Sequence, residues 1–318
     1  MHKIIFFYLT LILSIFNVNG QDDSLYSQKE VIYGRKDGMA LTMFVTTPKG
    51  RNIHRAIIHI VSGGYHSNVN MAIGSLPQEE PNWTTSSVEY LKRGYTVFLV
   101  LHGSAPGYSA NQAVQDIQKS IQFIRYHSKD YNIDPNKIGS TGVSSGGNLA
   151  LLMGTLEAKS NGKSDDPTAN ISSKVNAVAC FFPPTDLINF RKANQLFTDD
   201  SVLATAFKNA KLDASLDLKE LNPANDKYEF VTDINEKKMI LKEMSPIYSA
   251  DKTTAPTLIY YGDKDPIIPI EQCSLYIKKL ESLNVPSKLL IKKGAGHDWK
   301  GRVDDTKALA DWFDIYLK

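Results

Sequence analysis

The chain has 318 residues, of which 42% are hydrophobic and 22% charged, and its formal net charge is +2. This composition is ordinary for a globular protein, and the length is enough for one large domain with a well-buried core. A near-neutral chain without a Lys/Arg run gives no support for a nucleic-acid partner.

The first 20 residues have the pattern of a signal peptide. Lys3 precedes an apolar run, and Val18 and Gly20 are small residues at the positions that a signal peptidase requires. We therefore expect cleavage before Gln21 and a secreted or periplasmic protein. The alternative is an uncleaved membrane anchor, for which the run is short. No later segment is apolar enough to cross a bilayer, so we expect no stable membrane insertion after cleavage.

The first predicted elements are a strand pair over residues 29–46, around the turn signal Lys36-Asp37-Gly38. Further strand patterns cover residues 54–61, 95–101, 137–142, 174–182, 256–262 and 287–293. Helical patterns lie between them near residues 84–93, 110–128, 146–158 and 269–283, and one closes the chain near 303–317. Strands that alternate with helices predict an α/β fold with a mostly parallel eight-stranded sheet and helices on both faces.

Residues 185–248, called the insertion below, interrupt this alternation and are too long for a simple connection. They include helical pieces at 201–210 and 233–244. We predict that the insertion folds as a lid over Ser144 within a single domain of residues 21–318; the alternative is a peripheral decoration. Apolar residues of the insertion are candidates for a pocket wall: Phe190, Leu196, Phe197, Leu203 and Phe207.

The two cysteines, Cys180 and Cys273, lie in a buried-strand pattern and a helical pattern, respectively. Two free structural thiols are the preferred interpretation, because free cysteine is among the most buried residue types. A disulfide, which export would permit, is the alternative.

The strongest chemical signal is the sequence Gly142-Val143-Ser144-Ser145-Gly146, which follows one predicted strand and precedes a predicted helix. A turn this tight needs small residues two before and two after the serine, and it projects the serine from the carboxyl end of the sheet. The helix N-terminus then faces the site and favours developing negative charge. Ser144 is the predicted nucleophile.

Ser144 needs a base and an orienting acid, which this arrangement supplies in the order Ser, Asp, His. His297 follows the last predicted strand within Gly294-Ala295-Gly296-His297, and Asp265 follows the preceding one. The carboxyl ends of parallel strands meet at one sheet edge, so both can reach Ser144. Asp263 competes for the acid role, but we expect it to accept hydrogen bonds from loop amides.

The glycine-containing loop Ser62-Gly63-Gly64-Tyr65 follows a strand and is the candidate oxyanion hole. We expect the N–H groups of Gly64 and Ser145 to be the main donors, with Gly63 as a further candidate. Candidate substrate-binding residues are Tyr65, His102 and Trp299. The other histidines show no metal-ligand spacing, and there is no nucleotide-binding motif.

These motifs resemble bacterial α/β-hydrolase esterases of the acetyl-esterase/lipase group, close to stand-alone prolyl-oligopeptidase-like hydrolases. The resemblance rests on SGGY (62–65), GVSSGGNLA (142–150), FFPPTD (181–186), GDKDPIIP (262–269) and GAGHDW (294–299). It implies Ser144, Asp265 and His297 as a triad, Gly64 and Ser145 as the oxyanion hole, and neither a metal nor an organic cofactor.

The chain departs from the group's common pattern at three places. The usual His-Gly-Gly-Gly loop reads Val61-Ser62-Gly63-Gly64, the usual alanine after the nucleophile is Ser145, and a frequent histidine is Asn148. These departures bear on loop geometry and substrate preference.

The predicted function is a serine carboxylic-ester hydrolase that acts through an acyl-enzyme on short-chain or carbohydrate-linked esters of the acetyl or feruloyl type. One alternative is a prolyl-oligopeptidase-like peptidase, although the short stretch between Gln21 and the strand near Asn52 leaves no room for the β-propeller of the long peptidases. Another is a non-catalytic binding protein on a hydrolase scaffold.

Overall fold

The computed structural model describes residues 26–74, 87–158, 166–225 and 227–318. The predicted signal peptide, residues 1–20, lies outside these ranges. Within them, no helix combines the length and the apolar character that crossing a bilayer requires.

Eight strands form one central sheet, and two more form a separate hairpin. The strands are β1 (Tyr26–Lys36), β2 (Met39–Pro48), β3 (Ala56–Ile60), β4 (Thr96–Val100), β5 (Ile138–Thr141), β6 (Ala177–Phe181), β7 (Lys219–Asn222), β8 (Lys227–Phe230), β9 (Thr257–Gly262) and β10 (Ser287–Lys292). The central order is β1-β2-β4-β3-β5-β6-β9-β10. β2 pairs antiparallel with β1 and with β4, and every other pairing in the central sheet is parallel. The predicted eight-stranded, mostly parallel sheet is confirmed.

The described helices are α1 (Val69–Gly74), α2 (Ser87–Lys92), α3 (Ala110–Tyr126), α4 (Ser145–Thr155), α5 (Ser201–Asn209), α6 (Ile234–Glu243), α7 (Pro246–Ser249), α8 (Ile270–Ser282) and α9 (Arg302–Tyr316). Neighbouring residues of β5 show that helices cover both faces of the sheet. A Cβ on Gly139 would meet the Phe313 ring of α9, whereas the Ser140 hydroxyl donates to the Ala150 carbonyl of α4. Successive side chains of a strand point to opposite faces, so α4 and α9 lie on opposite sides.

The uniform burial of the central strands explains their sequence. All residues of β3, β4 and β6 are buried. Strands covered on both faces read as continuous apolar runs, which is the pattern that predicted them. Cys180 in β6 and Cys273 in α8 are both buried and free, as predicted.

The insertion contains α5, α6, α7, the β7–β8 hairpin and two 3₁₀ turns. Its two predicted helices are confirmed as α5 and α6, but the sequence did not predict the hairpin. The hairpin residues are exposed or half-buried, and each strand is only four residues long, with a single apolar residue in β7, so no clear strand pattern marks the pair.

Buried hydrogen bonds fasten both ends of the insertion to the core. Gln272 of α8 accepts from the Thr185 N–H at 2.7 Å and donates to the Phe190 carbonyl at 2.7 Å. The Ser245 hydroxyl accepts from the Leu187 N–H at 2.8 Å. This bond joins the segment where the insertion begins to the segment where it ends. Both ends of the insertion are therefore fastened to the core by buried hydrogen bonds.

Candidate active site

Ser144 occupies the sharp turn between β5 and α4. Its backbone has φ 53° and ψ −120°, a strained positive-φ conformation that costs a non-glycine residue about 1–3 kcal/mol. The Ser144 N–H donates to the Phe181 carbonyl at 3.0 Å, which holds the turn against β6. A Cβ on Gly142 would lie only 2.4 Å from the Gly146 carbonyl oxygen. The predicted requirement for small residues on either side of the serine is thus steric.

A chain of hydrogen bonds links Ser144 to His297 and Asp265. The Ser144 Oγ lies 3.1 Å from the His297 Nε2, and the His297 Nδ1 lies 2.8 Å from the Asp265 Oδ2. A carboxylate can only accept here, so the proton of the neutral ring is on Nδ1 and Nε2 is the acceptor for the serine hydroxyl. The Asp265 side chain is fully buried, whereas that of His297 is 26% exposed.

The surroundings of the two competing carboxylates separate their roles. The Asp265 Oδ1 accepts from the N–H groups of Ile267 and Ile268 at 2.8 and 3.0 Å, which leaves its second oxygen directed at His297. Asp263 instead accepts from the Gly294 N–H at 2.6 Å. The structure therefore brings Asp265, and not Asp263, to His297.

The predicted oxyanion loop presents fewer donors than the sequence suggested. The Gly63 N–H already donates to the His66 carbonyl at 2.9 Å and is not available as a third donor in this structure. Within the described residues, the N–H groups of Gly64 and Ser145 donate to no protein acceptor. Ser145 is the first residue of α4, where an N–H has no partner inside the helix. Two N–H groups are thus available at the site.

A cavity of about 630 Å³ opens at Ser144 and His297. The insertion supplies an apolar part of its wall: Phe197, Leu203, Ala206, Phe207, Ala210 and Leu212. The expectation that Phe197, Leu203 and Phe207 form a pocket wall is confirmed. Phe190 and Leu196 are buried but do not line the cavity. The Phe190 ring packs edge-on behind Phe197, with centroids 5.1 Å apart.

Of the three candidate substrate-binding residues, only Tyr65 lines the cavity. His102 does not line the cavity: its ring is buried, and Nδ1 donates to the Gly103 carbonyl at 2.7 Å. Trp299 does not line the cavity either: its indole N–H donates to Asp305 at 2.7 Å, and its ring packs against the core.

Two polar residues that sequence reasoning missed, His59 and Arg302, also line the cavity. Burial lowers the pKa of His59 to about 4, and the nearby Arg302 guanidinium contributes, so His59 is neutral. Arg302 is 2% exposed, donates from Nε to Asp298 at 2.6 Å and lies 5.2 Å from the Phe181 ring centroid. Asp298 lies in the loop four residues before Arg302, the first residue of α9, and this spacing of opposite charges was the sequence signal for the pair.

Comparison with known families and proteins gives two sequence matches. The BD-FAE family model matches residues 43–280. The chain is also 20% identical, over 274 residues, to the probable isoprenylcysteine alpha-carbonyl methylesterase ICMEL1 of Arabidopsis thaliana. That match covers 86% of this chain and 51% of the plant protein, so the chain spans about half the length of this curated relative.

Solved structures with the same architecture cover nearly the whole chain. A truncated carbohydrate esterase from gut microbiota has a TM-score of 0.66 and 22% identity, over 93% of this chain and 98% of its own. An acetyl ester-xyloside bifunctional hydrolase from Caldicellulosiruptor lactoaceticus has a TM-score of 0.64 and 21% identity, covering 91% and 94%. Butyrate-bound esterase 2 of Thermogutta terrifontis has a TM-score of 0.63 and 20% identity, covering 90% and 93%. These similarities establish the α/β-hydrolase fold.

Proposed function

This chain belongs to the BD-FAE family and is an enzyme of the serine-esterase type, and we propose that it hydrolyses short-chain or carbohydrate-linked carboxylic esters through an acyl-enzyme on Ser144. The observation that carries the proposal is the hydrogen-bonded series Ser144–His297–Asp265, which opens into a cavity with two available N–H groups. Nucleophile, base and orienting acid within hydrogen-bond reach are the arrangement that acyl transfer requires.

In the acylation step, the Ser144 Oγ attacks the ester carbonyl carbon while its proton passes to the His297 Nε2 at 3.1 Å. The buried Asp265 carboxylate keeps the ring in the required tautomer and stabilises the imidazolium that forms. The carbon–oxygen bond to the alcohol then breaks, and His297 returns the proton to the departing oxygen. The acyl group remains on Ser144.

In both halves of the reaction, negative charge develops on the carbonyl oxygen. The N–H groups of Gly64 and Ser145 would receive it, supported by the N-terminus of α4. Deacylation repeats the sequence with water: His297 takes a water proton, the hydroxide attacks the acyl carbon, and the carboxylic acid leaves as Ser144 regains its proton. Donors of this kind contribute about 10²- to 10³-fold to kcat each.

The cavity wall supports the proposed substrate class. The apolar side chains from the insertion suit a short acyl group or an aromatic one, since ligand sites are mostly apolar with few polar groups. The named activities of the structural relatives, a carbohydrate esterase and an acetyl ester-xyloside bifunctional hydrolase, favour an ester on a carbohydrate with acetyl as the acyl group. The feruloyl part of the proposal is supported by the apolar cavity wall alone. We extend the proposal to export: residues 1–20 would be removed and the mature domain of residues 21–318 would act outside the cytoplasm.

The proposed function is tested by p-nitrophenyl acetate hydrolysis and by labelling with a fluorophosphonate probe, which reacts with activated serines. Wild type should hydrolyse the ester and take up the probe. Ser144→Ala should abolish labelling and lower kcat by about 10³-fold or more, because the nucleophile and its base act as a unit. Ser140→Ala removes a buried hydroxyl that bonds only α4 and should retain both activities. Near-wild-type hydrolysis by Ser144→Ala would refute the assignment.

A further inference from the structure

The candidate oxyanion loop, residues 62–65, has a strained backbone that its neighbours must stabilise. Gly64 and Tyr65 are consecutive residues with positive φ, 58° and 56°. Glycine adopts this conformation readily, but tyrosine does so only where neighbouring groups fix it. Because the Gly64 N–H is a proposed oxyanion donor, whatever fixes Tyr65 also sets the position of that donor.

The Ser145 hydroxyl holds the backbone of Tyr65. The Tyr65 N–H donates to the Ser145 Oγ at 2.9 Å, and the Ser145 Oγ lies 3.0 Å from the hydroxyl of Ser62. Ser145 is 2% exposed, so water does not compete for this contact. An alanine, the residue that the related esterases commonly have here, would leave a buried N–H without its acceptor.

The Asn148 carboxamide holds the side chain of Tyr65. The Tyr65 hydroxyl donates to the Asn148 Oδ1 at 3.0 Å, and the two protons of the Asn148 Nδ2 go to the carbonyls of Pro184 and Met244, each at 3.0 Å. Asn148 is fully buried. These three bonds fix the amide orientation. Of its two carbonyl partners, Pro184 immediately precedes the insertion and Met244 lies near its end.

The insertion closes the other side of the loop. The Tyr65 ring packs edge-on against Phe197 at a centroid distance of 5.8 Å. A Cβ on Gly64 would already lie 3.1 Å from the Phe207 ring. The loop is therefore clamped between polar side chains of α4 and aromatic side chains of the insertion.

We propose that Ser145 and Asn148, the two α4 departures from the common esterase pattern, are positioning residues that act through Tyr65 to place the Gly64 N–H in the oxyanion hole. The inference rests on the proposed ester hydrolysis. Both residues act on the transition state, in which the oxyanion forms, and so their loss lowers kcat and leaves KM nearly unchanged.

The test compares Ser145→Ala and Tyr65→Phe with wild type, using p-nitrophenyl acetate kinetics and inhibition by a trifluoromethyl ketone. The ketone forms a hemiketal on the nucleophile, and its oxyanion occupies the same hole. Ser145→Ala should lower kcat by about 10- to 100-fold, the effect of misplacing a catalytic group by up to an ångström. Tyr65→Phe should lower kcat by about 2- to 10-fold, the effect of one hydrogen bond. Each inhibition constant should rise by the same factor as kcat falls, with KM within about twofold.

Ser140→Ala is the matched control, because its buried hydroxyl bonds the Ala150 carbonyl of α4 and does not touch the loop. It should keep wild-type kcat and inhibitor affinity even if its melting temperature falls. Should Ser145→Ala not fold, Tyr65→Phe carries the test, since it keeps the ring and the bond to Ser145.

Two results would overturn the inference: folded variants with wild-type kcat and inhibition constants, or an equal loss in Ser140→Ala. A wild-type protein that hydrolyses no ester and does not bind the ketone would instead refute the proposed function itself.

Discussion

Acidification from pH 7 to pH 5 should destabilise this fold through two buried histidines. His59 and His102 are 5% exposed each, and burial is the main cause that lowers the pKa of both to about 4. In the unfolded chain, a histidine has a pKa of about 6.5. The unfolded state therefore binds a proton first as the pH falls. The stability that depends on these two neutral histidines is fully present above pH 6.5 and is lost progressively as the pH falls toward 4.

The difference between the histidine pKa in the folded state and in the unfolded state determines how much the free energy of unfolding falls. A pKa of about 4 in place of about 6.5 corresponds to about 3 kcal/mol per histidine over the whole pH window. At pH 5 the unfolded histidine is almost fully protonated and the folded one is mostly neutral, so about 2 kcal/mol of each contribution is already lost. Together the two histidines should lower the free energy of unfolding by about 4 kcal/mol between pH 7 and pH 5.

Urea unfolding followed by tryptophan fluorescence at both pH values measures this loss. In His102→Gln, one of the two histidines is gone, so acidification should cost about 2 kcal/mol less than in wild type. His54→Gln is the control, because His54 is exposed. A His102→Gln protein that loses as much stability on acidification as wild type would refute the linkage to this residue.

Three further outcomes follow from the site. Asp265→Asn should lower kcat for p-nitrophenyl acetate by about 10³- to 10⁴-fold, because only the carboxylate that contacts the histidine fixes its tautomer. Asp263→Asn should lower kcat by less than about threefold, and equal losses would contradict the choice of Asp265. Across p-nitrophenyl esters, acetyl should be cleaved faster than octanoyl, with no jump in rate above the critical micelle concentration; a rate that rises to decanoyl would point to a lipase. Leu203→Ala should raise the octanoyl-to-acetyl ratio of kcat/KM by about tenfold by enlarging the cavity, and Leu280→Ala, a buried leucine of α8 outside the cavity lining, should leave that ratio unchanged.

The parts of the site that could be predicted are those that short-range geometry dictates. The glycines around Ser144 are required by a turn in which a Cβ at position 142 would collide with the Gly146 carbonyl. Asp265 and His297 follow the ends of β9 and β10, and parallel pairing of these strands places both loops at the same edge. The positions of these residues relative to the strand ends were therefore enough to predict that they lie close together.

The remaining features depend on side-chain directions and long-range contacts that spacing does not encode. His102 follows a strand end in the same way as His297, yet its ring turns toward the Gly103 carbonyl. The Gly63 N–H donates to the His66 carbonyl, a contact that the presence of two adjacent glycines does not predict. Arg302 reaches the cavity only because α9 packs its first residue against Phe181.

The candidate catalytic residues and the residues that the insertion adds to the cavity wall come from different parts of the chain. The candidate catalytic residues lie on loops that follow the sheet strands, whereas the insertion's part of the cavity wall comes from one continuous stretch between residues 197 and 212. Gln272 and Asn148 are docking points for the insertion that carries this stretch, because they hydrogen-bond its backbone near both ends, at Thr185 and at Met244. Randomised libraries confined to that stretch, or grafts of the whole insertion that keep the two docking points, would explore new ester specificities while the hydrolytic machinery stays intact.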